Sequence, residues 1–259
     1  MVRKVRVRSR FRHLILCAIF SLILCQMTAA QENFVFPLEG ERALVSLVEG
    51  EVRRQCQPDG DWTYLTLGTF VQAGERIMTM KGARLELQLP DRSIVRFDEE
   101  SDVRLVRAEY DARAARRNVR LSLALGKTWA HIQEVFGSSR TVQVETENAV
   151  VGVRGTVFRI NVATDKSTLV RVYRGSVAVS KANRTTALGE AGGQPQRVPG
   201  PQRVPGPHEV TMDEWVHILE RMQQIIVSPE GIPTKPRVFT AGEDLNDWVR
   251  WNLERDRSI

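Results

Sequence analysis

Cysteine and histidine are both scarce in this 259-residue chain, with three and four copies respectively. Cys17 and Cys25 fall in an N-terminal segment read below as a leader. Cys56 is then the one cysteine left, which excludes an intramolecular disulfide in the mature chain. His13 lies in the same leader, and His131, His208 and His217 are too scattered for a metal site, whose ligands cluster at short spacings. The sequence also lacks a Gly-x-Ser-x-Gly elbow, a phosphate loop and a His-Glu-x-x-His helix. No catalytic residue, cofactor site or metal ligand is therefore assigned. The acidic run Asp98-Glu99-Glu100-Ser101-Asp102 lacks the ordered spacing of a calcium loop and is read as a solvated turn.

Acidic residues are absent before Glu32, whereas Arg3, Lys4, Arg6, Arg8, Arg10 and Arg12 crowd the start. A short apolar run, Leu14–Leu24, follows, then Thr28-Ala29-Ala30. A basic region, a short apolar core and small residues at a cleavage point describe a secretory signal peptide. The run falls short of the ~20 apolar residues that a membrane span needs. Residues 1–30 are expected to be removed near Ala30–Gln31, leaving a periplasmic or secreted chain with no transmembrane span. The whole chain carries 37 Lys+Arg against 31 Asp+Glu, and loss of the leader's six basic residues makes the two equal. The basic balance is thus a targeting feature, and no nucleic-acid partner is implied.

Period-two alternation marks the mature chain, as in Arg84-Leu85-Glu86-Leu87-Gln88-Leu89 and Leu169-Val170-Arg171-Val172. A weak repeat places Gly50, Gly126 and Gly175 each between two such stretches, at corners that suit glycine. Many short strands with glycine turns are compatible with a sandwich, a barrel or a solenoid. Glu109–Arg117, rich in Arg and Ala, reads as an exposed loop or a short helical turn. Residues 189–209, with the tandem Gln-Arg-Val-Pro-Gly-Pro, read as a linker. Beyond it, a capping box at Thr211–Glu214 and helical spacing of Trp215, Ile218, Leu219, Met222, Ile225 and Ile226 predict an amphipathic helix over 211–227. A second short helix is expected over about 243–255. Trp215, Leu219 and Met222 are the candidate docking residues, packing onto the β domain or onto a partner.

The stretch from Thr146 to Ile160 resembles the signature of the FecR domain, a β-rich module of bacterial envelope proteins. Ala149, Gly152, Val153, Arg154, Gly155, Thr156 and Phe158 carry the likeness, and Asn148 stands where the family has proline. Flanking segments extend the resemblance over about residues 43–181. Among them are Asp61-Trp62, Ala73–Ile77, Ala83–Leu87, Asp91–Phe97, Gly126–Trp129 and Val170–Val179. Arg92 occupies a turn position where the family carries glycine. The resemblance implies a mainly β fold, a β-solenoid or β-helix-like stack with a β-sandwich as the alternative, over residues 31–188. A helical tail is expected at 210–259. Gly152, Arg154, Gly155, Thr156 and Phe158 are read as structural, with Gly152 and Gly155 at corners and Arg154 bridging neighbouring strands through Glu145 or Glu147. The implied function is a non-enzymatic envelope module for protein interaction or signal sensing, partnered by an envelope protein or cell-wall component. An envelope hydrolase acting on glycan or peptide through paired carboxylates is the alternative, since such a pair leaves no spacing signature.

Overall fold

Side chains that alternate between apolar and polar along the chain can bury one set only by forming strands, and strands dominate the structure. This computed structural model describes residues 42–111, 116–134, 139–182 and 215–259. In chain order the first strands are β1 (Arg42–Glu49), β2 (Val52–Gln55), β3 (Trp62–Tyr64), β4 (Phe70–Gln72), β5 (Arg76–Thr79) and β6 (Arg84–Gln88). Next come β7 (Ile94–Phe97), β8 (Asp102–Asp111), β9 (Arg116–His131), β10 (Ser139–Glu145), β11 (Ala149–Val153) and β12 (Val157–Val162). The last are β13 (Thr168–Arg174), β14 (Val177–Lys181), β15 (Val216–Leu219), β16 (Gln223–Val227) and β17 (Arg237–Val238). Two helices, α1 (Ala241–Asp244) and α2 (Asp247–Asp256), follow them. The leader and the 189–209 linker lie outside the described residues.

Backbone hydrogen bonds join these strands into two ladders that share the long strand β9. The first runs β4–β1–β6–β7–β9–β12–β13–β16–β17. The second runs β3–β2–β5–β8–β9–β10–β11–β14–β15. Among the described strands every pairing is antiparallel except β9 with β10, so the sheet is mixed and open. The expected mainly β class is observed. A solenoid is not shown, because its stacked rungs would pair in parallel. One buried cluster draws on both ladders, with Leu85, Val95, Phe158 and Val172 from the first and Ile77, Leu105, Val151 and Val179 from the second. Each such side chain contributes roughly 1.5–3 kcal/mol by leaving water.

The repeated glycines mark where the chain passes from one ladder to the other. Gly50 links β1 to β2, Gly175 links β13 to β14, and Gly126 lies inside β9 where that strand changes ladder; their φ angles are 70°, 78° and 97°. Arg92 adopts φ 67° in the β6–β7 turn, so the position where the family carries glycine does have left-handed geometry. A side chain there costs about 1–2 kcal/mol, partly offset by the extra chain entropy that glycine loses on folding. Arg92→Gly is therefore expected to stabilise the protein by about 0.5–1 kcal/mol. Urea unfolding checks this, and a destabilised variant would contradict it.

Two expectations are corrected. Glu109–Asp111 and Arg116–Arg117 belong to β8 and β9, and Arg117 is buried against Asp91 rather than solvated in a loop. Over residues 216–227 the predicted helix at 211–227 is instead β15, a turn and β16, while the capping box at Thr211–Glu214 lies outside the described residues. Met222 has φ 61°, which no helix interior tolerates, and its amide donates to Val172 O at 2.7 Å. β15 then pairs with β14, and β16 with β13, following the Gly175 corner in antiparallel. Of the predicted docking residues, Leu219 is fully buried, Trp215 is half-buried against the core and Met222 sits in the turn. They belong to the β fold, and among the described residues the tail's helices begin at Ala241.

Candidate functional site

The signature stretch supplies the site's central strand. Ala149–Val153 forms β11, the chain crosses ladders at Arg154–Gly155, and Val157–Val162 forms β12. Gly155, with φ 62°, is a corner as expected. Gly152 is not; it lies within β11 opposite Ala178. Thr156 and Phe158 are fully buried. Arg154 is exposed at this crossing rather than buried. Asn148 substitutes for proline by hydrogen bonding. Its Oδ1 accepts from Thr146 and Thr168 at 2.9 and 2.6 Å, and its Nδ2 donates to Lys166 O and Ser228 O at 2.9 and 2.7 Å.

The arginine that matters in this stretch is Arg159, five residues on. Alternation along β12 places Phe158 and Ile160 in the main core and Arg159 on the opposite face. Register then extends a transverse row across the first ladder, Glu86–Arg96–Trp129–Arg159–Arg171–Gln224–Arg237. Arg159 and Arg171 stand directly opposite each other, an arrangement that repels unless an anion joins them.

The C-terminal helices supply that anion. Asp244 at the end of α1 accepts from Arg159 Nε at 3.0 Å and also pairs with Arg159 Nη2, Arg171 Nη1 and the Tyr173 hydroxyl. Twelve residues later, Asp256 accepts from Arg96 Nη1 at 2.6 Å and from Trp129 Nε1 at 3.0 Å. Between them, Asn252 Oδ1 accepts from Arg96 at 3.2 Å. Glu86 accepts from Arg96 Nε, Ser46 Oγ and Arg255 Nε at 2.7, 2.8 and 3.1 Å. Local sequence holds the helices in place. Thr240 and Glu243 form a capping box on α1, and Asn246 caps α2. Trp248 and Val249 pack on Trp129 and Val157 in a small cluster separate from the main core. The expected second helix over about 243–255 is thus found as α1 and α2, with Trp248 and Val249 buried and Leu245 exposed.

Burial pushes the Asp256 carboxyl up, but interactions with His131, Arg96 and Trp129 outweigh it and hold the group below the usual carboxylate range. Glu86 behaves alike: burial raises it, and bonds from Arg96 and Ser46 with the charges of Arg96 and Arg255 bring it below normal. A general acid requires the opposite shift. Burial also raises the Tyr173 phenol strongly, so it stays protonated and donates to Asp244. Carboxylates with lowered folded pKa contribute stability that is present above their unfolded value and is lost as pH falls through the folded one. The tail is accordingly expected to loosen below about pH 4. Emission from Trp248 and Trp251 should shift to the red between pH 7 and pH 3 while the β signal persists. An unchanged spectrum would contradict the charge-held tail.

Elsewhere, a cavity of about 320 Å³ is lined by Glu147, Asn148, Lys181, Glu230 and Gly231, and a groove of about 440 Å³ by Val48, Glu51, Tyr64, Leu65 and Leu67. His131 is nearly buried, with Nδ1 3.6 Å from Asp256 and Nε2 3.0 Å from Arg174. Cys56 is exposed and unbridged. Among the described residues no cluster of His, Cys, Asp or Glu has metal-binding geometry, and no helix is long and apolar enough to cross a membrane.

The fold and this face define a mainly β module of two ladders with a charged row closed over by its own C-terminal helices. Residues 75–178, spanning β5 to β14, match the family model described as FecR protein. Two crystal structures of a candidate anti-sigma factor from Parabacteroides distasonis ATCC 8503, at 1.65 and 2.50 Å, are similar to this chain at 18% identity and a TM-score of 0.42. Each match covers 64% of this chain and 60% of the other, so the likeness spans less than two thirds of that protein's length. No curated protein matches the chain.

Proposed function

We propose that this protein is an exported, non-enzymatic FecR-domain module of the cell envelope that binds an envelope protein or cell-wall component and takes part in signalling. The FecR match over residues 75–178 carries the reading. The leader's basic, apolar and small-residue regions support export. The carboxylates of this face, Glu86, Asp244 and Asp256, support a binding role over an acid–base one, since each is bound by a guanidinium group.

The test combines location with contact. Protein released from the periplasm should begin at Gln31, and a photo-reactive residue placed at Arg250, exposed on α2, should give a discrete cross-linked adduct in intact cells. Recovery of residues 1–20 in the product, with no adduct, would overturn the proposal.

A further inference from the structure

We propose that residues 239–257 are a displaceable latch, and that the arginine row beneath them is the docking site for an acidic helix of a partner protein. This deepens the interaction-module reading by naming the surface and the chemistry that fits it.

Three observations carry the inference. First, the latch is an addition to a finished sheet: all ladder pairing among the described strands is complete by Val238, so α1 and α2 can leave without breaking a strand pair. Segments of this kind open at lower free energy than the ladders that carry them. Second, the surface below is built to receive carboxylates. Arg96, Arg159 and Arg171 are presented by three different strands, and each meets an aspartate of the tail. Two of these arginines face each other across a strand pair, so the row requires an anion from some source. Third, the fit of the latch is incomplete. In the row beneath it, Arg96 Nη2 and Gln224 Nε2 are buried without a hydrogen-bond partner. Unmet buried donors cost free energy, and a partner that satisfies them gains an advantage over the latch. The partner chemistry follows from the occupant: a helix with one carboxylate just before its first turn and another at its end, and a tryptophan between them to fill the Trp129–Tyr173 surface, whose rings lie 4.5 Å apart.

The test uses the full chain and a labelled peptide of residues 239–259 as the competing helix. The wild-type chain should bind it weakly, and the Asp244→Asn/Asp256→Asn chain at least tenfold more tightly. A peptide carrying the same two substitutions should not bind. Equal affinity for both chains would overturn the proposal. Wild-type hydrogen exchange is the second measurement, needing no variant. Amides of α2 should exchange at least a hundredfold faster than those of β9 and β12. Equal protection, with α2 opening only on global unfolding, would overturn the latch. A dimer formed by exchanged tails, seen by sedimentation, would overturn the partner assignment. None of these results bears on export or on the start of the mature chain at Gln31, so failure here leaves the broader reading separately testable.

Discussion

Arg96→Ala is expected to lower the unfolding free energy by about 3–5 kcal/mol, the scale of removing one partner from a buried ion pair. The Arg96 side chain is fully buried and holds Glu86 on its own ladder and Asp256 from the tail at 2.7 and 2.6 Å. Its removal leaves two carboxylates turned into a dry interface, although Arg255, 3.0 Å from Glu86, relieves one of them in part. Urea unfolding measures the loss. The exposed Arg154 of the family signature is the natural control, and Arg154→Ala should move the midpoint far less. Equal effects at the two sites would contradict the burial argument.

Gly126→Ala should cost about 3 kcal/mol, combining the left-handed strain of a side chain with overpacking. Gly126 has φ 97°, and a β-carbon there would lie 2.5 Å from Ser101 Cα and 2.2 Å from Ser101 Oγ. Ser101 cannot yield easily, because its hydroxyl donates to Asp98 O at 2.9 Å and accepts from the Lys127 amide at 3.1 Å. Those bonds pin the turn beside the point where β9 changes ladder. Gly68→Ala separates the two causes, since Gly68 has φ 79° with nothing within 4 Å of the added carbon. It should show only the backbone strain, about 1–2 kcal/mol. Similar losses at Gly126 and Gly68 would remove the steric part of the explanation.

Much of the β body was legible because strand burial is a local, period-two property. Arg84–Gln88 and Thr168–Arg174 could be recognised from alternation alone, and the glycine repeat located the corners without any knowledge of the pairing. Arg92 was legible for the same reason, since a turn that needs positive φ does so regardless of distant contacts. Residues 215–227 were misread because Trp215, Ile218, Leu219, Met222, Ile225 and Ile226 satisfy a helical period as well as two short strands on either side of a turn. Burial decides between them: Leu219 and Ile225 are buried, while Ile218 and Ile226 are exposed at 59% and 39%. The signal that could have decided it earlier is the concentration of β-branched residues at Val216, Ile218, Ile225, Ile226 and Val227.

The site was not legible. Arg159 and Asp244 are 85 residues apart and Arg96 and Asp256 are 160 apart, so no window of sequence joins them. Within the signature, Arg154 stands out because it lies between Gly152 and Gly155, yet it is an exposed residue at the Gly155 corner. Arg159 carried a subtler mark. It is a charge in the middle of Val157-Phe158-Arg159-Ile160, where alternation predicts an outward face and the neighbouring residues predict burial. Such a residue needs an anionic partner from another element. The acidic residues of the tail, on either side of Trp248 and Trp251, were among the candidates.

A double-mutant cycle on Arg159 and Asp244 tests most directly the claim that the C-terminal helices are held on the first ladder by buried charge. Unfolding free energies of the wild-type chain, Arg159→Ala, Asp244→Ala and the double variant should give a coupling of about 2–3 kcal/mol, near the top of the range for groups in contact. Additivity within about 0.5 kcal/mol, as found for distant and independent sites, would contradict it.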